Sequence, residues 1–520
     1  MNPLLLVFII PASAGILGFV IYRLRNEFNF LGTILTLYYS LYLFITTRKP
    51  VIHEFNLFQL GNIKFSFFLD QFSGIVLLGI AVVSFVIVLY SFRYMRGLKH
   101  FGVYYFYLLL SIAAANGMIL ANNLLLFLFF SIVLSILFYV LLTVSSEEST
   151  STKNQSFLSL ILFNVLISLG ISILIFRTGN ASIISDPKLI PYNSSLVYAY
   201  LLILIGIIGK IGIIPFQWWT LKLTKSTPIT IYTLIPMIFE KIIGVYLLIR
   251  LSYYIFDISG TSLVRFIILA VGSISIIIAC LMAIRTKDSY HLLNFASITQ
   301  IGFIFIGIGC ANPLGYASAV LNSINYLAFQ PVLFLTAGSV EYWTKTTNLD
   351  SFQGIASKLP ITFFACLFAV LALCGVPPLN GFFSKWIMFD AIIKINPNGL
   401  NITSIILIIV SIFGSIMTTL YFIKFLLAFQ GTKSKCSPRV RDPSFTMWAP
   451  MNALSALCVV LGVFALSLSW RTITLPSVRA LFPQEVIANP WTFGIAPFIL
   501  VASILAGIVI YYFKSKTKVA

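Results

Sequence analysis

Charge is scarce in this chain. Of its 520 residues, 9% are Asp, Glu, Lys or Arg, against about a quarter in an ordinary soluble domain. Acid is scarcer still, with 14 Asp and Glu set against 33 Lys and Arg. No polar stretch is long enough for a separate soluble domain. The six cysteines have neither metal-ligand nor disulfide-framework spacing, and several lie inside apolar runs, where they read as small core residues. No dinucleotide fingerprint occurs. These gaps argue against a redox site on this chain and lead to the expectation of no cofactor and no metal. A basic face on a soluble module, which nucleic-acid binding requires, is missing too. Lipid is the expected surrounding.

What is present is hydrocarbon: 59% of the residues are hydrophobic. Apolar runs of about 20 residues, each enough to cross a bilayer, recur from end to end. Fifteen spans are expected, near 3–22, 29–46, 68–92, 102–120, 122–144, 156–176, 197–221, 229–249, 263–284, 289–310, 313–340, 359–390, 401–430, 447–470 and 491–513. The fold class is therefore an all-α polytopic membrane protein with about 14–15 transmembrane helices. The first run, Leu4 to Ile21, lacks a basic flank and a small-residue cleavage site, so it reads as a retained helix. Connections alternate in charge. Nineteen basic residues fall on one side, among them Arg23, Arg93, Lys153 and Lys514; ten fall on the other, among them Arg48, Arg177, Arg250 and Arg471. The positive-inside rule then places the N-terminus outside and the C-terminus in the cytoplasm, in a cell inner membrane. The segment 471–490 is expected along the outer membrane surface, and 145–156 as a solvated cytoplasmic loop.

Four basic residues fall within spans: Lys210, Lys241, Lys385 and Lys424. A lysine at the bilayer centre costs about 2.5–3.5 kcal/mol on insertion scales. Lys424 is near a helix end and can snorkel. Lys241 follows Glu240, so a local charge pair is one reading there. Lys210 lies in ILIGIIGKIGIIPF, among Gly206, Gly209, Gly212 and Pro215, and Lys385 ends GVPPLNGFFSK. Both stand beside helix-breaking residues, and freed backbone at membrane depth is tolerated only in protein or beside a wet cavity. The broken spans are the seventh and twelfth. Two five-helix units follow, inverted relative to each other because five is odd. The divisions are residues 1–101, 102–251, 263–431 and 447–520. Burial disfavours the charged form of a lysine, so Lys210 reads as a proton-carrying station whose charge can be switched.

These stretches resemble the antiporter-like subunits of the complex I superfamily. That family includes large membrane subunits of complex I, of membrane-bound energy-converting hydrogenases and of Mrp-type cation/proton antiporters. GKIGIIPFQWW resembles its seventh-helix motif, with Lys210 as the central lysine. EKIIGVYLLIR resembles the eighth, with Lys241; DSYHLLNFASITQIGF the ninth-to-tenth stretch; FQPVLFLTAGSV the eleventh; GVPPLNGFFSKW the broken twelfth, with Lys385. FFLDQFSGIVLL, with Asp70, resembles the start of the third helix. The wording PPLNGFFSKW is closest to hydrogenase-type members.

Departures accompany the match. Where the family has a fifth-helix glutamate that pairs with the seventh-helix lysine, LLLFLFFSIVLS has Ser131. The usual tenth-helix His or Lys is Gln300, and the usual eleventh-helix lysine is Gln330. Glu240 is a substitute acid on offer, although it points about 100° away from Lys241 on an α-helix. Asp390 marks either an exit side or an interfacial salt bridge. His291, beside Asp288, serves either proton entry or a helix end. Gln300 and Gln330 either line a hydrated path or hydrogen-bond between helices.

The resemblance implies a proton-translocating, possibly sodium-coupled, non-redox subunit of a redox-driven oxidoreductase complex such as an energy-converting hydrogenase. Its partners would be other membrane and peripheral subunits, including neighbouring antiporter-like subunits. The alternatives are a subunit of an Mrp-type cation/proton antiporter, and a scaffold that stopped pumping when it lost the fifth-helix carboxylate.

Overall fold

A computed structural model describes residues 3–47, 50–60, 63–97, 100–145, 150–179, 194–224, 227–256, 258, 260–396, 400–430, 441–482 and 496–516. The chain is built of helices, and it forms two compact units, Met1–Thr261 and Ser262–Ala520. Eleven described helices are at least 18 residues long and apolar enough to cross a membrane. The chain is a multi-pass membrane protein.

The first unit begins with α1 (Pro3–Val20) and α2 (Arg25–Thr46). An antiparallel hairpin follows, β1 (Val51–Leu60) and β2 (Ile63–Leu69), with Val51 opposite Leu69 and Glu54 opposite Ser66. The hairpin is an addition to the expected helices: the segment reads as a connection when only long apolar runs are sought. Asn122 fastens it, its N–H donating to the Ser66 carbonyl at 3.0 Å and its amide to the Ser66 hydroxyl at 2.9 Å. Then come α3 (Gln71–Tyr94), α4 (Phe101–Leu120), α5 (Leu124–Ser145), α6 (Thr150–Thr178), α7 (Ser194–Ile211) and the short α8 (Trp218–Leu223). The last span is wound unevenly: α9 (Ile229–Tyr232), a π-helical stretch Thr233–Ile243, α10 (Gly244–Arg250) and a second π turn, Leu251–Ile255. Pro236 lies in the first π stretch. It has no N–H to continue an α ladder, and wider π turns are one way a helix absorbs such a defect.

The second unit contains α11 (Ser262–Arg285), α12 (Ser289–Gly309), α13 (Pro313–Thr344), α14 (Pro360–Cys374), α15 (Asn380–Ile393), α16 (Ile402–Gln430) and α17 (Phe445–Val463). A π stretch Ala465–Thr474, α18 (Leu475–Leu481) and α19 (Ala496–Lys516) complete it. Both α12 and α13 are buried along their membrane windows, so neither needs a one-sided apolar stripe.

The two broken spans end their first halves in the same way. After α7, Gly212 has φ +65°, and the N–H groups of Gly212 and Ile213 both donate to the Ile208 carbonyl. After α14, Gly375 has φ +84°, and the N–H groups of Gly375 and Val376 both donate to the Leu371 carbonyl. Each is a glycine-capped helix end whose backbone L side chains avoid. A Cβ on Gly212 would also lie 2.7 Å from Thr220 Cγ2.

Candidate functional site

Four elements of the first unit converge on Lys210. It stands in the last turn of α7, one residue before the helix ends. Its Nζ is 3.3 Å from Glu240 Oε2, which the π stretch presents. It donates to Asn164 Oδ1 on α6 at 3.2 Å and to the Ser131 hydroxyl on α5. The Ser131 hydroxyl donates in turn to Asn164 Oδ1 at 2.7 Å, and the Asn164 amide donates to Ser135 Oγ at 3.1 Å. All five side chains are buried. The carboxylate is only partly satisfied: Glu240 Oε1 has no hydrogen-bond partner among the described residues. A cavity of about 10 Å³ lies against Lys210 and Glu240, its other walls apolar residues such as Met118 and Ile207. That is near the smallest space that holds one water molecule.

The sequence-expected residues Lys210, Glu240 and Ser131 therefore meet in one cluster. Ser131, on α5, touches Lys210, and Glu240, from another element, supplies the carboxylate beside it. The local Glu240–Lys241 pair is not formed, because Glu240 faces Lys210. Lys241 is fully buried, and its Nζ has no hydrogen-bond partner among the described residues. Asn164 escaped the sequence reading, although a lone amide in the apolar run LILFNVLISLG was a signal.

A second ionic site was also missed. Arg250 ends α10, and Asp70 caps α3 with a reciprocal bond to Ser73. Arg250 Nη2 and Nη1 donate to the two Asp70 oxygens at 2.6 and 2.9 Å. Its guanidinium lies 4.2 Å from the Tyr254 ring centre, and its Nε donates to Tyr246 Oη at 3.1 Å. Arg250, expected among the connection charges, is instead fully buried at the end of α10, held by a carboxylate 180 residues away. Lys153 is likewise buried, on α6.

In the second unit, Lys385 stands on α15, after its helix break. Its Nζ donates to the Leu373 and Cys374 carbonyls at 2.9 and 3.2 Å. Those are terminal carbonyls of α14, which have no partner inside their own helix. The ammonium also lies 5.1 Å from the Phe303 ring centre. Lys210 thus precedes its break and Lys385 follows its own. The side chain of Gln330 donates to the Leu293 carbonyl at 3.2 Å, while Gln300 Nε2 has no partner among the described residues. His291 Nδ1 lies 3.0 Å from Asp288 Oδ1 at the start of α12, and Asp390 is half-buried near the end of α15. Lys424 is tied inward, donating to the Ile284 and Thr286 carbonyls at 3.0 and 2.7 Å.

At the α12 cap, burial pushes the Asp288 carboxyl up, but hydrogen bonds from His291 and Thr347 outweigh it and hold the group below its ordinary value. The five described cysteines are free and buried.

The sequence profile described as "NADH:quinone oxidoreductase/Mrp antiporter, TM" matches residues 121–418. A second, "NADH-Ubiquinone oxidoreductase (complex I), chain 5 N-terminus", matches 57–105. Among curated relatives, Na(+)/H(+) antiporter subunit A1 of Staphylococcus epidermidis is 29% identical over 355 residues, covering 64% of this chain and 44% of that protein. Hydrogenase-4 component B of Escherichia coli is 25% identical over 334 residues, covering 59% and 49%. The chain thus spans about half or less of the length of these relatives. A chain of the Mrp complex from a Dietzia species superposes with a TM-score of 0.81 at 19% identity, covering 97% of this chain and all of that one. That likeness is one of fold.

Proposed function

The chain belongs to the NADH:quinone oxidoreductase/Mrp antiporter transmembrane family, and from that membership and the Lys210 cluster we propose that it moves protons as a membrane subunit of a larger redox-driven complex. The observation that carries this reading is the buried Lys210–Glu240 pair, 3.3 Å apart. Two opposite charges at about 4 Å attract by about 4 kcal/mol at an effective dielectric of 20. Separating them, or passing a proton between them, switches the charge of both. The Glu240 carboxylate, with Oε1 unpartnered among the described residues, is the acceptor for the Lys210 proton, and a water in the adjoining cavity would take it onward.

Lys241 continues the route in this proposal, with Lys385, Gln300, Gln330, His291 and Asp390 serving the second unit. The shared glycine-capped breaks support residues 102–251 and 263–431 as two repeats of one helix pattern. The proposed orientation is N-terminus outside and C-terminus in the cytoplasm of a cell inner membrane, from the charge alternation. An energy-converting hydrogenase or complex I-like oxidoreductase is the proposed assembly, with redox centres on partner chains. A second reading, a cation/proton antiporter subunit without a redox partner, is favoured by the antiporter relative.

The test is proton transport by the assembled complex in sealed vesicles. Lys210→Ala should assemble and lose coupled transport. Wild-type transport by an assembled Lys210→Ala complex contradicts the proposal. Transport that needs an added monovalent cation gradient, and no electron donor, decides for the antiporter reading.

A further inference from the structure

A cleft of about 790 Å³ opens in the second unit, between the first turns of α11 and α16. Its α11 wall includes Arg265, Phe266, Leu269, Ala270 and Ile274. At 100° per residue these side chains spread over about half of the helix circumference, so the cleft runs against a broad face of α11. The opposite wall carries Thr403, Ile406 and Leu407, with Asn401 at the start of α16.

Polarity changes along the cleft. Arg265, Asn401 and Thr403 line the end at the helix starts; Ala270, Ile274 and Ile406, with the single hydroxyl of Ser273 among them, line the rest. Ile274 is nine residues beyond Arg265, about 14 Å along an α-helix. Phe266, Ile274 and Ile406 are exposed in the isolated chain, and α11 and α16 are both membrane-length helices. No carboxylate is among the described residues that line the cleft. Arg265 is held in place: its Nε and Nη2 donate to the Gly309 and Cys310 carbonyls at 3.4 and 3.2 Å. Those bonds use two of its five N–H groups, which leaves a fixed positive charge with donors to spare.

We propose that this cleft binds one phospholipid with an anionic headgroup, its phosphate on Arg265 and an acyl chain along Phe266, Ala270 and Ile406. The ligand must be an amphiphile. A small anion would use the arginine and leave the apolar length uncovered. A neighbouring apolar helix would cover the length and bury the guanidinium without an anion, which is costly. A phosphate satisfies planar guanidinium donors, and an acyl chain covers the rest. The inference rests on membrane embedding and charge, independent of whether the chain pumps.

The test is native mass spectrometry of the full-length protein in its complex. It is purified into detergent and then exchanged into phosphatidylcholine bilayers with or without phosphatidylglycerol. Wild type should retain one tightly held phosphatidylglycerol per chain and select it over phosphatidylcholine. Arg265→Gln should lose that lipid by removing its charge, and Ala270→Trp by filling the apolar part with Arg265 untouched. Ile406→Trp, on the opposite wall, replaces Ala270→Trp if that variant does not fold. An unchanged phosphatidylglycerol count in the folded variants overturns the proposal. So does equal retention of phosphatidylcholine, or a protein helix filling the cleft in the assembled complex.

Discussion

At the scale of residues, the Lys210 cluster contains a lysine, a carboxylate, an amide and two hydroxyls in apolar surroundings. Removing one charge of a buried pair leaves the other uncompensated, at a cost of about 3–5 kcal/mol. Glu240→Gln alone should therefore lower the melting temperature of the purified complex more than Glu240→Gln combined with Lys210→Met. Equal losses would mean that the charges are not coupled. Asp70→Asn should be as severe, because it strands the buried Arg250. At the α12 cap the sign follows from the depressed Asp288 carboxyl. Its stabilisation is complete above the ordinary carboxylate value and is lost as pH falls through the lower, folded value. Asp288→Ala should cost about 1 kcal/mol as a lost cap, and it should remove that acid-side dependence from a melting curve taken against pH.

At the scale of elements, the broken helices were legible in the sequence, because glycine and proline beside a membrane lysine have few other uses. Long spans were legible for the same reason: a bilayer demands about 20 apolar residues. What escaped was local winding and long-range pairing. The π turns around Pro236 decide where Glu240 points, and α-helical angles gave only its separation from Lys241. The Asp70–Arg250 pair joins positions that no local pattern links. The hairpin was missed since a search for long apolar runs passes over two short strands. Lys385 also shows why a residue type alone leaves its role open: it occupies the terminal carbonyls of α14. Lys385→Met should cost about 1–3 kcal/mol through those stranded carbonyls, seen as a lower melting temperature. Gly375→Ala should cost about 1–2 kcal/mol from its left-handed backbone, with the fold retained.

For the whole molecule, the account turns on where the acid of the proposed proton-carrying pair resides. Ser131 stands against Lys210 without a carboxylate, and Glu240 supplies one from the last span of the same unit. The measurement that tests this most directly is proton transport by the assembled complex in sealed vesicles. It compares wild type, Glu240→Gln, and Glu240→Gln combined with Ser131→Asp, an acid short enough for the serine site. Glu240→Gln should lower transport by at least about tenfold, a barrier change of about 1.4 kcal/mol. The double variant should recover a substantial part of it with a shifted pH profile. Wild-type transport by an assembled Glu240→Gln complex would contradict the account.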